Sequence, residues 1–176
     1  FLIEAAMIAT NQAPGLKRSF GFERLMNFDR DLFKKIKLDY QAQVKKSEFL
    51  GIYGSDIDLR AIRVAKKNLA AAGFEDKVQL SCKDFNKITA PLGEGVLVAN
   101  PPYGVRIGDE DLEAFYPLWA STLKNVFAGW RTYFLTSDLR MPKLMRLAPS
   151  KKTPLYNGAL DCRLFEIKMV AGSNRK

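Results

Sequence analysis

The sequence predicts an α/β protein whose mostly parallel sheet ends in an antiparallel hairpin. Short apolar runs alternate with segments of helical periodicity between residues 48 and 138. These runs are apolar on both faces, as in parallel strands that are covered by helices. Asn157-Gly158 then separates two strand-like runs, which is the strongest short-range signal for a hairpin turn. We expect a single domain over residues 1–176.

The first half of the chain predicts helices around a short parallel sheet. Apolar residues recur at helical spacing over 2–9, and Pro14-Gly15 ends that run. The basic and aromatic segment 16–48 predicts a loop followed by a helix from Asp29 to Lys46. Three elements follow, namely a strand at 48–56, a helix that opens at Asp58 and is capped by Gly73, and a strand at 77–85.

The second half of the chain continues the alternation of strands and helices and then ends in an antiparallel hairpin. The predicted elements are a strand at 95–100, a helix at 109–127, a strand at 131–138, a short helix at 139–147 and a hairpin at 153–170. Within the hairpin, the polar side changes phase between Arg163 and Glu166. That change indicates either a bulge near Leu164-Phe165 or a strand that is buried on both sides.

The charge balance favours a polyanionic partner. Lysine and arginine total 28 against 19 aspartate and glutamate residues, which gives a net charge of +9 and a pI near 9.6. Such a surface attracts nucleic acid, and no basic amphipathic segment typical of a membrane anchor stands out. Charge that serves only solubility is the alternative explanation.

The absence of histidine and the two cysteines limit the chemistry. Without histidine the chain cannot use a Ser–His or Cys–His mechanism, or a histidine-ligated metal site. We expect no metal. Cys82 and Cys162 lack CxxC spacing and lie in apolar runs, so we expect both to be reduced core residues of a cytoplasmic protein. No apolar run is long enough to span a membrane.

Two predicted strands end in an acidic residue beside an apolar one. In open α/β sheets, ligands bind at the carboxyl ends of the strands. Asp56 could accept hydrogen bonds from both ribose hydroxyls, with Ile57 as an apolar contact. Asp84 could accept from the exocyclic amine of adenine, with Phe85 packed on the ring. The alternative role for Asp56 and Asp58 is helix capping, which we favour for Asp58.

A third strand ends in Asn100, Pro101, Pro102 and Tyr103. Proline cannot donate to a sheet ladder, so the strand must stop at Asn100 and present polar atoms beside an aromatic ring. A rigid turn is the alternative reading. Together with the other two strand ends, this one predicts a bound adenosine that faces a second planar group.

Asn100-Pro101-Pro102-Tyr103 resembles the motif of S-adenosylmethionine-dependent methyltransferases that modify planar nitrogens. The resemblance implies that the Asn100 side-chain oxygen and the Pro101 carbonyl accept the two N–H groups of the amine, and that Tyr103 stacks on the base. Asn100 also lies beside the cofactor. Positioning and electrostatics would then carry the rate, without a metal or a covalent intermediate.

Nearly the whole chain resembles the bacterial N2-guanine methyltransferases of large-subunit (23S) ribosomal RNA. That family implies a Rossmann-like fold, S-adenosylmethionine as cofactor, ribosomal RNA as partner and a THUMP domain upstream. The stretches that carry the resemblance are FLIEAAMIA, APGLKRSFGFE, GSDID with AIRVAKKNLAAAG, NPPYGVRIGDE and PLYNGALDCRLFE.

In that family, a first strand and a glycine-rich cofactor loop stand directly before the helix that opens this chain. Residue 1 begins where the loop would end, so we interpret the chain as a partial methyltransferase domain and expect it to bind cofactor poorly by itself. The sequence carries no prediction of oligomeric state.

Two alternatives to RNA guanine methylation stay open at this point. The motif chemistry equally fits another planar amine, such as adenine N6 in DNA or a protein glutamine, and a non-catalytic RNA-binding piece is also compatible. We expect each lysine pair to form a solvated face rather than a specific contact, although together the pairs attract phosphate. We expect Phe20, Phe22 and Phe28 mainly to pack, with stacking on bases as the alternative. The basic residues expected to contact RNA are Lys17, Arg18, Arg24, Lys34, Lys35, Lys45, Lys46, Arg106, Lys151 and Lys152.

Overall fold

The computed structural model describes residues 1–91, 93–101 and 109–170, with the side chains of 109–111 left aside. The chain forms two compact units, Phe1–Lys83 and Asp84–Lys176. Within the described part, no helix is long and apolar enough to cross a membrane.

The first unit pairs two parallel strands and packs helices on them. Its elements are α1 (Leu2–Ala9), α2 (Arg30–Ala42), β1 (Ile52–Asp56), α3 (Leu59–Ala72) and β2 (Val78–Cys82). The register of β1 on β2 runs from Ile52 opposite Val78 to Asp56 opposite Cys82. Ala6, Leu69 and Phe74 join Val78 in a buried core, which places α1 and α3 against the sheet.

Two elements of this unit are shorter than the sequence predicts. The helix expected to reach Lys46 ends at Ala42, because the Lys45 N–H donates to the Thr10 carbonyl at 2.8 Å and draws the chain away from the helix axis. The strand expected from residue 48 begins at Ile52, because Gly51 has φ +64°, which lies outside the strand region.

The second unit holds a four-stranded sheet in the order β3-β4-β6-β5. Its elements are β3 (Val96–Ala99), α4 (Asp109–Val126), β4 (Arg131–Thr136), α5 (Met141–Leu144), β5 (Lys151–Asn157) and β6 (Leu160–Lys168). β3 and β4 are parallel, whereas β6 runs antiparallel to both of its neighbours. The predicted α/β class, with parallel strands followed by an antiparallel hairpin, is therefore confirmed.

The hairpin also settles the phase change in the last strand. Asn157 pairs with Leu160 across the turn, in which Gly158 has φ +62°. The pairing of β6 with β4 then continues without a break from Arg163 to Lys168, so the bulge alternative is wrong. Phe165 is buried, and Leu164 and Glu166 on the opposite face are half-buried. Both faces of β6 are thus partly covered, because the strand lies between β4 and β5.

The core of the second unit is formed by α4 against β4 and β6. Tyr116, Leu123, Phe134 and Phe165 are each no more than 2% exposed. The apolar face predicted for the helix is confirmed, because Leu112, Tyr116 and Trp119 on α4 all belong to this buried cluster.

Buried Tyr116 makes the stability of this unit sensitive to alkali. Burial above all, and then the negative charge of Asp138, raise the pKa of Tyr116 from 10.0 to about 12. In the unfolded chain the phenol ionises at its usual pKa, so between these two values the folded state holds the proton more tightly than the unfolded state. The contribution of Tyr116 is therefore complete below the unfolded pKa and is lost as the pH rises toward the folded pKa.

We expect Tyr116→Phe to flatten this alkaline decline in stability, because phenylalanine cannot ionise. Between about pH 9 and about pH 11, the wild type should lose roughly 1 kcal/mol more unfolding free energy than the variant. Urea unfolding at the two pH values measures this difference, and any offset that is constant with pH reports packing alone. An equal decline in both proteins would contradict the prediction.

Candidate functional site

In the first unit, the end of β1 presents an exposed carboxylate beside an exposed apolar side chain. Asp56 is the last residue of β1, and its Oδ1 accepts the Asp58 N–H at 2.8 Å. Its second oxygen takes part in no hydrogen bond within the described residues. Ile57 follows and is 72% exposed. The pair leaves an acceptor and an apolar surface open to a ligand.

Asp58, by contrast, is occupied by the helix that follows. Its side chain accepts the Arg60 N–H at 2.8 Å as the N-cap of α3, and its Oδ2 also lies 3.0 Å from Arg60 Nη2. The hydrogen bond from the Arg60 side chain lowers the pKa of Asp58 below its usual value. The predicted capping role of Asp58 is confirmed.

The second strand end carries a cysteine that the sequence prediction misplaced. Cys82 pairs with Asp56 in the β1–β2 register and is exposed, with its Sγ 3.5 Å from the Ile57 carbonyl. The expected core position is wrong for Cys82, because it is the final residue of an edge strand. Cys162 is buried as predicted, and both cysteines are free.

In the second unit, Asp84 and Phe85 open a short 3-10 turn, Phe85–Lys87. Asp84 is half-buried and caps this turn by accepting the Asn86 N–H at 2.9 Å on Oδ1. The Phe85 ring lies 4.3 Å from Trp119 and 6.2 Å from Phe127, centre to centre. Much of the Phe85 ring therefore packs in the core. Only its accessible part could contact adenine, as the sequence predicts.

The third strand end, after β3, carries Asn100 and Pro101. Asn100 is exposed and Pro101 is buried. The strand stops at Ala99, one residue before the predicted end at Asn100, because Pro101 has no N–H with which to continue the ladder. Pro102, Tyr103 and Arg106 lie outside the described residues, so their predicted roles stay predictions.

A close contact between glycine and tryptophan fixes the start of β3. A Cβ on Gly95 would lie 2.7 Å from the Trp130 ring, so this position has no room for a side chain. Trp130 Nε1 donates to the Gly93 carbonyl at 2.9 Å, and the Arg131 N–H donates to the Gly95 carbonyl at 3.0 Å. Because β3 is only four residues long, its anchored start also determines where Asn100 lies.

The end of the neighbouring strand β4 adds residues that the sequence interpretation did not single out. Asp138 follows β4, is 7% exposed at its side chain, and binds Arg140 Nε at 3.0 Å. Phe134 on β4 pairs with Ala99 on β3, so Asp138 follows the same end of the parallel pair as Asn100. The available signal was an acidic residue at the end of the predicted strand 131–138.

The basic residues predicted to contact RNA differ in their surroundings. Lys17 Nζ donates to the Ala72 carbonyl at 2.9 Å at the end of α3, which gives it a structural bond. Arg18 lies over the Phe20 ring at 4.5 Å from its centre. Lys151 and Lys152 are exposed on β5, the strand at the edge of its sheet.

Each unit by itself presents carboxylate acceptors of the kind that an adenosine-containing cofactor needs. Asp56 offers a free carboxylate oxygen next to the apolar surface of Ile57, and Asp84 uses only Oδ1 in its turn. These are the acceptors that ribose hydroxyls and an adenine amine require. No group of three or more potential metal-ligating side chains occurs in the part of the chain described.

Comparison with known proteins gives a consistent result. The family model UPF0020, RMKL-like methyltransferase domain, matches residues 1–166. Ribosomal RNA large subunit methyltransferase K/L from Shewanella baltica (strain OS185) is 37% identical over 182 residues, which cover 99% of this chain and 25% of that protein. The chain thus spans about a quarter of the length of the curated relatives it matches.

Two solved structures share the fold over nearly the whole chain. SMU.472, solved in complex with SAH, superposes with a TM-score of 0.91 at 32% identity, covering 98% of this chain and 46% of that one. A protein from Listeria monocytogenes str. 4b F2365, described as a predicted N6-adenine-specific DNA methylase, gives a TM-score of 0.83 at 29% identity over 95% of this chain and 43% of that one.

Proposed function

The chain belongs to the RMKL-like methyltransferase domain family, whose fold is that of S-adenosylmethionine-dependent methyltransferases, and we propose that it methylates the exocyclic N2 amine of a guanine in 23S ribosomal RNA. The observation that carries this proposal is an exposed Asn100 followed by a buried Pro101 at the point where β3 stops.

An exocyclic amine of a nucleobase is a poor nucleophile, because its lone pair is delocalised into the ring. In the proposed mechanism, the Asn100 side-chain oxygen and the Pro101 carbonyl oxygen each accept one N–H of that amine. Two such bonds hold the nitrogen in place and turn its lone pair out of conjugation. The close contact of Gly95 with the Trp130 ring at the start of β3 supports this proposal, because it would help to hold both acceptors in place before the substrate binds.

The cofactor, when bound, supplies an electrophilic methyl group on a sulfonium centre. We propose that Asp56 accepts the ribose hydroxyls, that Ile57 covers one side of the adenine, and that Asp84 accepts its exocyclic amine. We propose that Asn100 also contacts the cofactor. We propose that Phe85, whose ring centre lies 4.3 Å from that of Trp119, packs on the adenine ring.

The proposed RNA substrate is supported by the positive net charge of the chain and by the names of its relatives. A net charge of +9 favours an RNA partner, and the Shewanella relatives are named ribosomal RNA large subunit methyltransferases. Pro102 would keep the turn rigid, Tyr103 would stack on the guanine, and Arg106 would meet phosphate beside it. Lys17, Arg18, Lys151 and Lys152 would add attraction for the phosphate backbone.

The test is methyl transfer from labelled S-adenosylmethionine by the full-length protein to separate polymers. We expect label in a 23S ribosomal RNA transcript, recovered as N2-methylguanosine after digestion, and none in double-stranded DNA or in a protein extract. Label on adenine N6 in DNA would favour the second candidate, which the described identity of the Listeria neighbour supports. Binding of RNA without any transfer would favour a non-catalytic role.

A further inference from the structure

Residues 18–40 of the first unit hold a cluster of phenylalanine rings around the start of α2. Phe20 and Phe22 stack with their centres 5.2 Å apart and their planes at 15°. Phe33 meets Phe22 edge to face at 5.3 Å and Phe28 at 5.4 Å. The rings therefore pack mainly on one another, which gives this segment a small apolar centre of its own.

Much of this centre stays open to solvent. None of the 13 residues of α2 is buried, although the helix carries apolar side chains at intervals of about one turn. Phe22 is 43% exposed, Leu32 54% and Ile36 41%. An amphipathic helix normally covers its apolar face, so an uncovered face indicates a contact surface.

Cations surround the same rings. Lys37 Nζ lies 4.7 Å from the centre of the Phe33 ring and donates to the Arg18 carbonyl at 3.2 Å. The Arg18 guanidinium lies over the Phe20 ring, 4.5 Å from its centre. A depression of about 420 Å³ is lined by Phe28 and Phe33 together with Arg30, Lys34 and Lys37. The rings of Phe28 and Phe33 and these three cations therefore line one depression, where a single ligand could contact all of them.

The acidic residues near this depression are engaged in local structure. Glu23, which also lines it, accepts the Phe20 N–H at 2.8 Å, and Asp29 accepts the Leu32 N–H at 2.9 Å as the N-cap of α2. Over residues 16–48 there are nine lysine and arginine residues against five aspartate and glutamate residues. The segment as a whole therefore carries a net positive charge.

We propose that this aromatic–basic surface (Arg18, Phe22, Arg30, Phe33, Lys34 and Lys37) binds unpaired nucleotides of the RNA substrate. The cations would hold phosphates, and a base would stack on the exposed Phe22 ring. Unpaired RNA fits better than a duplex, since a duplex keeps its base faces inside the stack. The inference rests on the proposed function, because it assumes an RNA substrate.

The test compares two charge-removing double variants of the full-length protein. Arg30→Ala with Lys34→Ala removes two exposed cations one helical turn apart from the surface. Arg63→Ala with Lys67→Ala removes the same residue types, at the same spacing, from the exposed side of α3. Each protein is titrated into a fluorescent oligouridine of about 12 nucleotides, without cofactor, at several salt concentrations.

The first double variant should raise Kd at least about fivefold and reduce the slope of log K against log salt by about 1.4, which corresponds to two phosphate contacts. The α3 double variant should change Kd less than about twofold. Phe22→Ala should raise Kd about fivefold or more while leaving the salt slope unchanged, because stacking releases no counterions. Circular dichroism confirms that each variant is folded.

Equal losses in the two double variants would overturn the proposal, since the effect would then be overall charge. Unchanged RNA affinity would also overturn it, and a dimer in sedimentation that Phe22→Ala dissociates would assign the surface to a second copy of the chain. Because RNA binding is measured without methyl transfer, the binding result can be interpreted even if the proposed reaction is not observed. If the protein transfers methyl groups to RNA but the surface variants bind RNA as the wild type does, the proposed function stands and the RNA-binding role of this surface is rejected.

Discussion

Asn100→Ala is expected to reduce the rate of methyl transfer by about 10²–10³-fold while leaving the fold intact. The exposed Asn100 side chain contributes little to packing, so its removal should not alter the unfolding free energy measurably. It would remove the acceptor that turns the lone pair of the amine toward the methyl group. The measurement is the single-turnover rate with saturating RNA and cofactor.

Two further variants separate this role from a general effect. Asn100→Asp keeps an oxygen that can accept the N–H, so it should retain more activity than Asn100→Ala. Asn125→Ala removes the same side chain from an exposed position on α4, where its Nδ2 donates to Ser121 Oγ at 3.3 Å, and should transfer methyl groups at the wild-type rate. Full activity in Asn100→Ala would rule out the proposed role of this residue.

Asp56→Ala is expected to weaken S-adenosylmethionine binding by about tenfold to a hundredfold, because hydrogen bonds to a charged acceptor contribute about 1.5–3 kcal/mol. The substitution removes both carboxylate oxygens: Oδ1, which accepts the Asp58 N–H, and the second oxygen, which is left for the cofactor. Calorimetric titration of the full-length protein with cofactor measures the change. The affinity for RNA should stay at the wild-type value.

Asp58→Asn is the matched control for this second prediction. Asparagine caps a helix as well as aspartate does, so α3 keeps its N-cap while the carboxylate beside the site is lost. Cofactor affinity should change less than about twofold. If Asp58→Asn weakens binding as strongly as Asp56→Ala, the negative charge of the whole loop matters, and Asp56 has no particular role.

Local sequence rules predicted the elements of the chain and several residue roles well. The helical face of α4, the hairpin turn at Asn157-Gly158 and the cap at Asp58 all follow from spacing or from turn chemistry. These features depend on residues that are neighbours in the sequence. The carboxyl ends of β1 and β3 were predicted for the same reason, because an Asp or a proline marks each of them.

The features that the sequence did not predict depend on distant contacts. Cys82 belongs to an apolar run, yet its exposure follows from its place at the end of an edge strand. Phe85 was predicted from the sequence only as a ligand contact, and the packing of α4 shows that Trp119 lies against its ring. The end of α2 is set by a hydrogen bond to Thr10, which no local signal in α2 reveals.

The position of β6 between β4 and β5 determines when each unit can fold during translation. The β1–β2 pair requires residues only up to Cys82, so it can form early on the ribosome. The sheet of the second unit cannot close until Lys168 has been synthesised, because β6 supplies the partner edge for β4. A nascent chain therefore presents the open edge of β4 for the time needed to translate the hairpin, and this interval is when chaperone capture would protect it from aggregation.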